Sequence, residues 1–391
     1  MRDPVAVYVH TPFCPSKCGY CDFNSYAMRG EIVERTTRAM IRELETSPWR
    51  GTPAKTVFLG GGTPTFLPKS LLTELIATIL NVHPPIPGAE ITSEANPGTV
   101  DMPKFEAMRR AGIERISLGA QSFLDSDLEM LDRVHRSGDV ERAVRAARQA
   151  GFDNVNLDLI FALPGQALDA WRANLDRALA LDPEHLSLYC LTIEPNTRFY
   201  KLHHRGVIRL PADEEQVAMY NLAVARTGEA GFTQYEISNF SKPGRECRHN
   251  LEYWRGADYL GYGPGAVGCF TASFDAERRS LESARYSTKT CEPETRTRYT
   301  IVKHPERYSA AVESGRRLAF ESETLSPESL RLERIMLGLR LTEGLSTEGL
   351  DLKPKVVSDL VARGWLWMES GRIGLTSKGR HFCSEATLAL A

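Results

Sequence analysis

The stretch Val5–Cys21, VAVYVHTPFCPSKCGYC, decides how the rest of the chain is read. It begins as an apolar, β-branched run of the kind that forms a buried strand. It then passes directly into three cysteines spaced C-x3-C-x2-C. That order places the sulfurs of Cys14, Cys18 and Cys21 on one tight loop at the C-terminal end of a strand. So short a loop presents three thiolates to three corners of a cubane and does not easily supply a fourth, which leaves one corner open to a ligand. Zinc is the competing occupant. Its sites usually show two separated C-x2-C pairs, or cysteine with spaced histidine; here the nearby fourth ligand is His10, on the strand itself. The other five cysteines, Cys190, Cys247, Cys269, Cys291 and Cys383, are scattered singly and read as small buried hydrophobes.

Working outward, the first 240 residues or so alternate short strand-like runs with amphipathic helical ones. Strands are expected at 5–10, 56–60, 90–95, 115–119, 154–160, 185–191 and 233–238. Helices are expected between them, among others at 31–45, 69–80 and 139–151. In the last of these Val140, Ala143, Val144 and Ala147 share one face and Gly151 closes the helix. Alternation at this spacing predicts an α/β fold with a parallel sheet and crossover helices, closed or nearly closed into a barrel; an open doubly wound sheet is the alternative. From about 240 the pattern loosens, and the polar run 275–300 reads as irregular. Two helices (327–345 and 354–364), a hairpin turning at Gly371 and a short final helix then outline a winged helix. The expected division is 1–240, 241–320 and 321–391.

Composition narrows the classes. With 391 residues, 42% hydrophobic and 25% charged, the chain is an ordinary globular one with ample core. Its formal net charge of −2 is no general basic excess, and residues 328–391 hold nine Lys and Arg against eight Asp and Glu. The wing therefore carries no electrostatic footprint for nucleic acid, and a structural cap on the barrel is its expected role. The apolar start is too short for a signal-peptide core, and no segment approaches a membrane span. A soluble cytoplasmic protein is expected.

Three glycines in G-G-G-T-P-T (Gly60–Thr65) follow the second strand and let backbone approach a ligand closely. The spacing matches neither the P-loop nor the dinucleotide fingerprint. Position gives the motif weight, because Glu94, Gln121 and Asp158 also lie in or just past strands, toward the rim where barrel enzymes assemble their sites. Carboxylates buried there are costly unless paired or ligand-bound.

These motifs resemble the radical S-adenosylmethionine (SAM) signature, C-x3-C-x2-C with an aromatic, Tyr20, before the third cysteine. That likeness implies a partial (β/α)6 TIM-like barrel, followed here by the small winged-helix-like α+β module. It also implies a [4Fe–4S] cluster whose free iron chelates the amino-acid end of SAM, and reductive cleavage of SAM to methionine and a 5′-deoxyadenosyl radical. More narrowly, Y-V-H-T-P-F-C, G-G-G-T-P-T, S-E-A-N-P-G, L-G-A-Q-S-F, D-L-I-F-A-L-P-G-Q and H-N-L-E-Y-W are similar to the oxygen-independent coproporphyrinogen III dehydrogenase superfamily. By position, the resemblance makes Tyr8, Gly61, Gly62, Thr63, Glu94, Gln121, Arg133 and Asp158 SAM contacts.

Two branches of that superfamily are in play. The dehydrogenase carries one more cysteine two residues past the third, where this chain has Phe23, and a long N-terminal extension. H-N-L-E-Y-W (His249–Trp254) instead resembles the H-N-x-x-Y-W motif of HemW-like heme chaperones. The expected function is therefore binding of heme and its transfer to an acceptor protein, with oxidative decarboxylation of coproporphyrinogen III as the alternative. On this branch His249 is the candidate axial ligand. A membrane-associated acceptor is compatible with this reading, although no membrane segment is expected in the chain itself; nucleic acid is not an expected partner, and the protein is expected as monomer or dimer.

Overall fold

The computed structural model describes residues 3–271, 295–316 and 318–391. In chain order the first half holds β1 (Val5–Thr11), α1 (Glu31–Glu45), β2 (Ala54–Gly61), α2 (Lys69–Val82), β3 (Pro85–Ala95) and α3 (Met102–Arg110). There follow β4 (Arg115–Gln121), α4 (Asp125–Met130), α5 (Ser137–Gln149), β5 (Val155–Phe161), α6 (Leu168–Ala180) and β6 (His185–Cys190). Strands β1 to β6 lie side by side in sequence order, all parallel. A doubly wound sheet needs a point where strand order reverses. None occurs between β1 and β6, so right-handed crossovers stack the helices on one face and the sheet curls as a partial barrel.

The two faces of these strands differ in chemistry. Val7, Val9, Val57, Leu59, Ile91, Ile116, Leu118, Val155, Leu157 and Leu159 are buried in one continuous core. The opposite face carries Tyr8, Phe58, Thr92 and Arg115 in one laterally paired row, and Glu94, Ser117, Asn156 and His185 in another. Strands of an all-parallel sheet are usually apolar on both faces. Polar groups buried on the inner face cost free energy unless they are hydrogen-bonded or meet a ligand, which marks this face as the one the fold keeps for chemistry.

The chain continues through α7 (Arg198–His204), α8 (Asp213–Glu229), β7 (Thr233–Gln234), β8 (Asn239–Ser241), α9 (Arg248–Trp254), β9 (Tyr259–Tyr262), β10 (Val267–Thr271), β11 (Arg296–Ile301), α10 (Pro305–Glu313) and β12 (Ala319–Leu325). The single strand expected at 233–238 is instead two short ones. Glu236 interrupts it by turning inward, where its carboxylate accepts hydrogen bonds from Ser238 N (3.0 Å) and the Asn239 amide. The irregular stretch expected at 241–320 is also corrected. Within its described part, β9 adds parallel to β1, and β10, β11 and β12 extend the same sheet as an antiparallel meander. In β11, Thr297, Tyr299 and Ile301 are buried while Arg296, Arg298 and Thr300 are only partly so. The arginines made an alternating strand look merely polar. Residues 275–294 of the run expected to be irregular, with Cys291, lie outside the described residues.

The last segment comprises α11 (Pro327–Gly338), β13 (Leu345–Ser346), α12 (Pro354–Ala362), β14 (Leu366–Glu369), β15 (Arg372–Leu375) and α13 (Cys383–Leu390). It has its own core, including Ile335, Leu339, Leu345, Leu360, Leu366 and Ile373, and its strands form a separate sheet ordered β13-β15-β14. The β14–β15 hairpin turns at Ser370 and Gly371, both at positive φ. The first helix ends at Gly338, short of the expected Leu345. A Cβ on Gly338 would stand 2.6 Å from that of Leu345, so the close return of the chain fixes the turn there.

Candidate functional site

The cysteine loop leaves β1 and is folded back by main-chain bonds, Tyr26 N donating to Pro12 O (2.7 Å) and Cys14 N to Tyr26 O (3.1 Å). Lys17 pins its far side by donating to Phe23 O (2.6 Å) and Ser25 Oγ (3.1 Å). The glycine segment seals the near side. Gly62 N donates to Thr11 O and Thr63 N to Phe13 O, both at 2.7 Å. A Cβ at Gly62 would meet Phe13 O at 2.7 Å and Thr11 O at 2.8 Å. This glycine is therefore required where backbone meets the backbone of the cysteine loop. Gly61 has φ 103°, and a Cβ there would enter the His10 ring.

All three thiols are free and half-buried. Thr63 Oγ1 donates to Cys14 Sγ and Arg133 Nη1 to Cys18 Sγ, each at 3.4 Å, while Arg133 Nη2 donates to Gly119 O at 2.9 Å. Burial pushes the Cys14 and Cys21 thiols up; metal ligation is what would hold such groups as thiolates. Among the described residues no three His, Cys, Asp or Glu side chains converge as a single-ion site. Three soft donors on one loop, two of them hydrogen-bonded at sulfur, fit an iron–sulfur cluster.

Below this rim lies a cavity of about 210 Å³ on the inner face of the sheet. Tyr8, Glu94 and Asp158 line it together with Arg115, Asn156 and Tyr189. Glu94 Oε2 accepts from Gly61 N (3.0 Å), and its carboxyl is pushed up to about 8 by burial first and Asp158 second. Asp158 is also raised by burial, although Asn156 Nδ2 (2.7 Å) and Ser117 Oγ (3.2 Å) donate to it. Tyr8 OH is set by His10 Nδ1 at 2.9 Å, and His10 Nε2 by Asn24 O at 2.9 Å. Glu94, this dry and beside Asp158, is poised to ionise when a cation or several hydroxyls arrive.

The structure thus divides the expected residues into two groups. Cys14, Cys18, Cys21, Gly61, Gly62, Thr63 and Arg133 gather at the rim around the cysteine loop. Tyr8, Glu94 and Asp158 line the chamber below. Gln121 ends β4 at φ 66°, with its amide close to Gly119. Tyr20 packs edge-on against Phe199 at 6.4 Å, beside Arg133.

His249, the candidate axial ligand, is packed against the sheet. It is 1% exposed, and both ring nitrogens are engaged, Nδ1 with Thr56 Oγ1 (2.8 Å) and Nε2 with Tyr253 OH (3.2 Å). Its ring stacks on Phe58 at 5.1 Å, and burial lowers it to about 3, so it is neutral. Helix α9 lies with His249 and Asn250 against the cavity, near the N-terminal ends of the strands, and forms its floor. Glu90, midway along β3, caps this helix, accepting from Arg248 N and His249 N at 3.1 Å each.

Reasoning on motifs missed Arg115, Ser117, Asn156 and Ser187. Their signal was strand parity: Asn156 and Asp158 alternate with Val155 and Leu157, and Ser187 with Leu186 and Leu188.

A fold of this shape with three cysteines after its first strand defines a radical SAM protein, and residues 8–178 match the Radical SAM superfamily model. The solved structure of coproporphyrinogen III oxidase HemN from Escherichia coli, described as a radical SAM enzyme, covers 100% of this chain and 90% of its own at a TM-score of 0.79 and 20% identity, a likeness of fold. Among curated proteins, heme chaperone HemW of Bacillus subtilis (strain 168) is 36% identical over 388 residues, 96% of both chains. HemW of Mycobacterium tuberculosis (strain ATCC 25618 / H37Rv) is 35% identical over 383 residues, covering 96% of this chain and 92% of its own. That of Escherichia coli (strain K12) is 41% identical over 271 residues, 68% and 71% of the two chains. The chain belongs to the HemW family.

Proposed function

We propose that this protein binds heme and passes it to an acceptor protein, on a scaffold that holds a [4Fe–4S] cluster at Cys14, Cys18 and Cys21 and SAM beside it. One observation carries the choice between the two branches. Phe23, where the dehydrogenase has its additional cysteine, is 60% exposed on the cysteine loop, so that position offers no fourth thiol. The likeness to heme chaperones along nearly the whole chain supports the same choice.

Bound at the loop, the cluster supplies one-electron chemistry toward the SAM sulfonium. The chain's own residues position and tune. Thr63 and Arg133 donate to sulfur, and such hydrogen bonds shift a cluster's potential. Arg133 is also suited to a carboxylate, since its Nε is buried without a partner among the described residues. Glu94 and Asp158 are placed to accept hydrogen bonds from ribose hydroxyls or an ammonium group, Glu94 giving up its proton as it does so. His249 remains the candidate axial ligand of this reading, and ligation at Nε2 requires its contact with Tyr253 OH to open.

The test is anaerobic reconstitution with iron and sulfide, followed by heme titration and incubation with coproporphyrinogen III, SAM and a reductant. The expected result is a near-stoichiometric heme complex and no protoporphyrinogen. Protoporphyrinogen formed in proportion to SAM consumed would overturn the reading in favour of the dehydrogenase.

A further inference from the structure

Arg115 opens β4 on the inner face of the sheet, is 2% exposed and lines the cavity. Its Nε is buried and has no hydrogen-bond partner among the described residues. The acids around it are already committed. Glu90 uses Oε1 for His249 N and Oε2 for Arg248 N. Asp158 is held by Asn156 and Ser117. Both influence Arg115 through charge alone. A guanidinium carries five N–H donors in a rigid fork, and leaving even the Nε–H dry and unmatched is costly. The fork fits a carboxylate side-on, with two parallel hydrogen bonds.

We propose that Arg115 is the anchor for a carboxylate in the depth of the cavity, so that the chamber receives an acid-bearing ligand from the rim. The cavity, of about 210 Å³, admits a small acid or the acidic arm of a larger molecule. Tyr189 lines the cavity and is 42% exposed at the C-terminal end of β6, which puts the mouth on the side of the cysteine loop. The carboxylate has two sources, a propionate arm of a tetrapyrrole or a free small acid. Only the first rests on the heme-chaperone reading.

Sodium propionate is the first probe, titrated into the full-length protein at constant ionic strength against sodium chloride. Wild type should show a saturable rise in Tm with propionate beyond the chloride control. Arg115→Gln should show none, and Arg115→Lys a reduced one. Because removing an unmatched buried charge can itself stabilise the fold, the propionate-induced shift within each variant is compared, not the variants' Tm values. The second probe is hemin against hemin dimethyl ester, whose carboxylates are blocked. A tetrapyrrole source predicts that the ester binds wild type about tenfold more weakly than hemin and that the difference disappears in Arg115→Gln. A free-acid source predicts the propionate effect with hemin and its ester binding alike. The inference is overturned if neither propionate nor esterification distinguishes wild type from Arg115→Gln. Should that variant not fold, wild type decides: no saturable binding of carboxyl-labelled propionate by 13C NMR, together with equal affinity for hemin and its ester, overturns it. Failure of hemin to bind wild type would count against the chaperone reading and leave the propionate result standing.

Discussion

At the scale of single residues, the site is governed by where charge is kept dry. Glu94 illustrates the consequence. Burial and Asp158 hold its carboxyl up at about 8, whereas in the unfolded chain it ionises near 4.3. A raised acid binds its proton more tightly when folded, so its contribution to stability is complete below the unfolded value and is lost as pH rises through about 8. In ligand-free protein, Glu94→Gln should therefore gain stability relative to wild type as pH increases from 5 to 8.5, by about 4 kcal/mol. Urea denaturation at the two pH values measures this difference directly. A variant-to-wild-type difference that does not change with pH would mean that Glu94 is already ionised in the empty chamber. Bound SAM should abolish the pH trend, because a ligand that favours the carboxylate draws the proton off beforehand.

At the scale of elements, α9 is the informative case, since H-N-L-E-Y-W was legible as a motif but not as a floor. Its role depends on Glu90, which lies about 160 residues earlier and caps the helix from β3. Glu90→Gln keeps one acceptor but loses the charge at the helix N-terminus and should cost about 1–2 kcal/mol in denaturation. An unchanged midpoint would show that the cap is dispensable. The same distance effect explains what else could not be read. Strands β1 to β6 were legible because their convex face is a regular run of valine, leucine and isoleucine beneath helices. Asn156, His185 and Arg115 have the right parity, but which face is enclosed depends on α9, far away in sequence. In β11, exposed arginines masked the alternation. Gly62 was read as making room for a ligand, whereas its immediate reason is contact with the backbone of Thr11 and Phe13. Local pattern reports a residue's face; it does not report what comes to lie against it.

At the scale of the whole molecule, Arg340 joins the winged module to that floor. Arg340 lies 4.6 Å from the centroid of the Trp254 ring and 3.4 Å from the carboxylate of Glu236. Trp254 ends α9, and the Glu236 side chain is fully buried, its carboxyl raised by burial and drawn partly back by Arg340. The module also touches the barrel through Thr342, whose N–H donates to Tyr235 O at 3.0 Å, through the partly buried pair Arg298 and Glu333, and through Arg255 and Glu343, an exposed pair that contributes little. Arg340→Ala would remove the cation over Trp254 and leave Glu236 with only Ser238 and Asn239 as donors. Removing one partner of a largely buried pair is strongly destabilising, and here the expected loss is about 2–3 kcal/mol. Hydrogen exchange locates it. If the module braces the chamber, amides of α11 and of α9 should both exchange faster in the variant while β1 to β6 stay protected. Faster exchange in α11 with α9 unchanged would mean that the module is attached to the barrel without supporting its floor. Heme or carboxylate binding would then be indifferent to the module, whereas a braced floor requires both to weaken when Arg340 is lost.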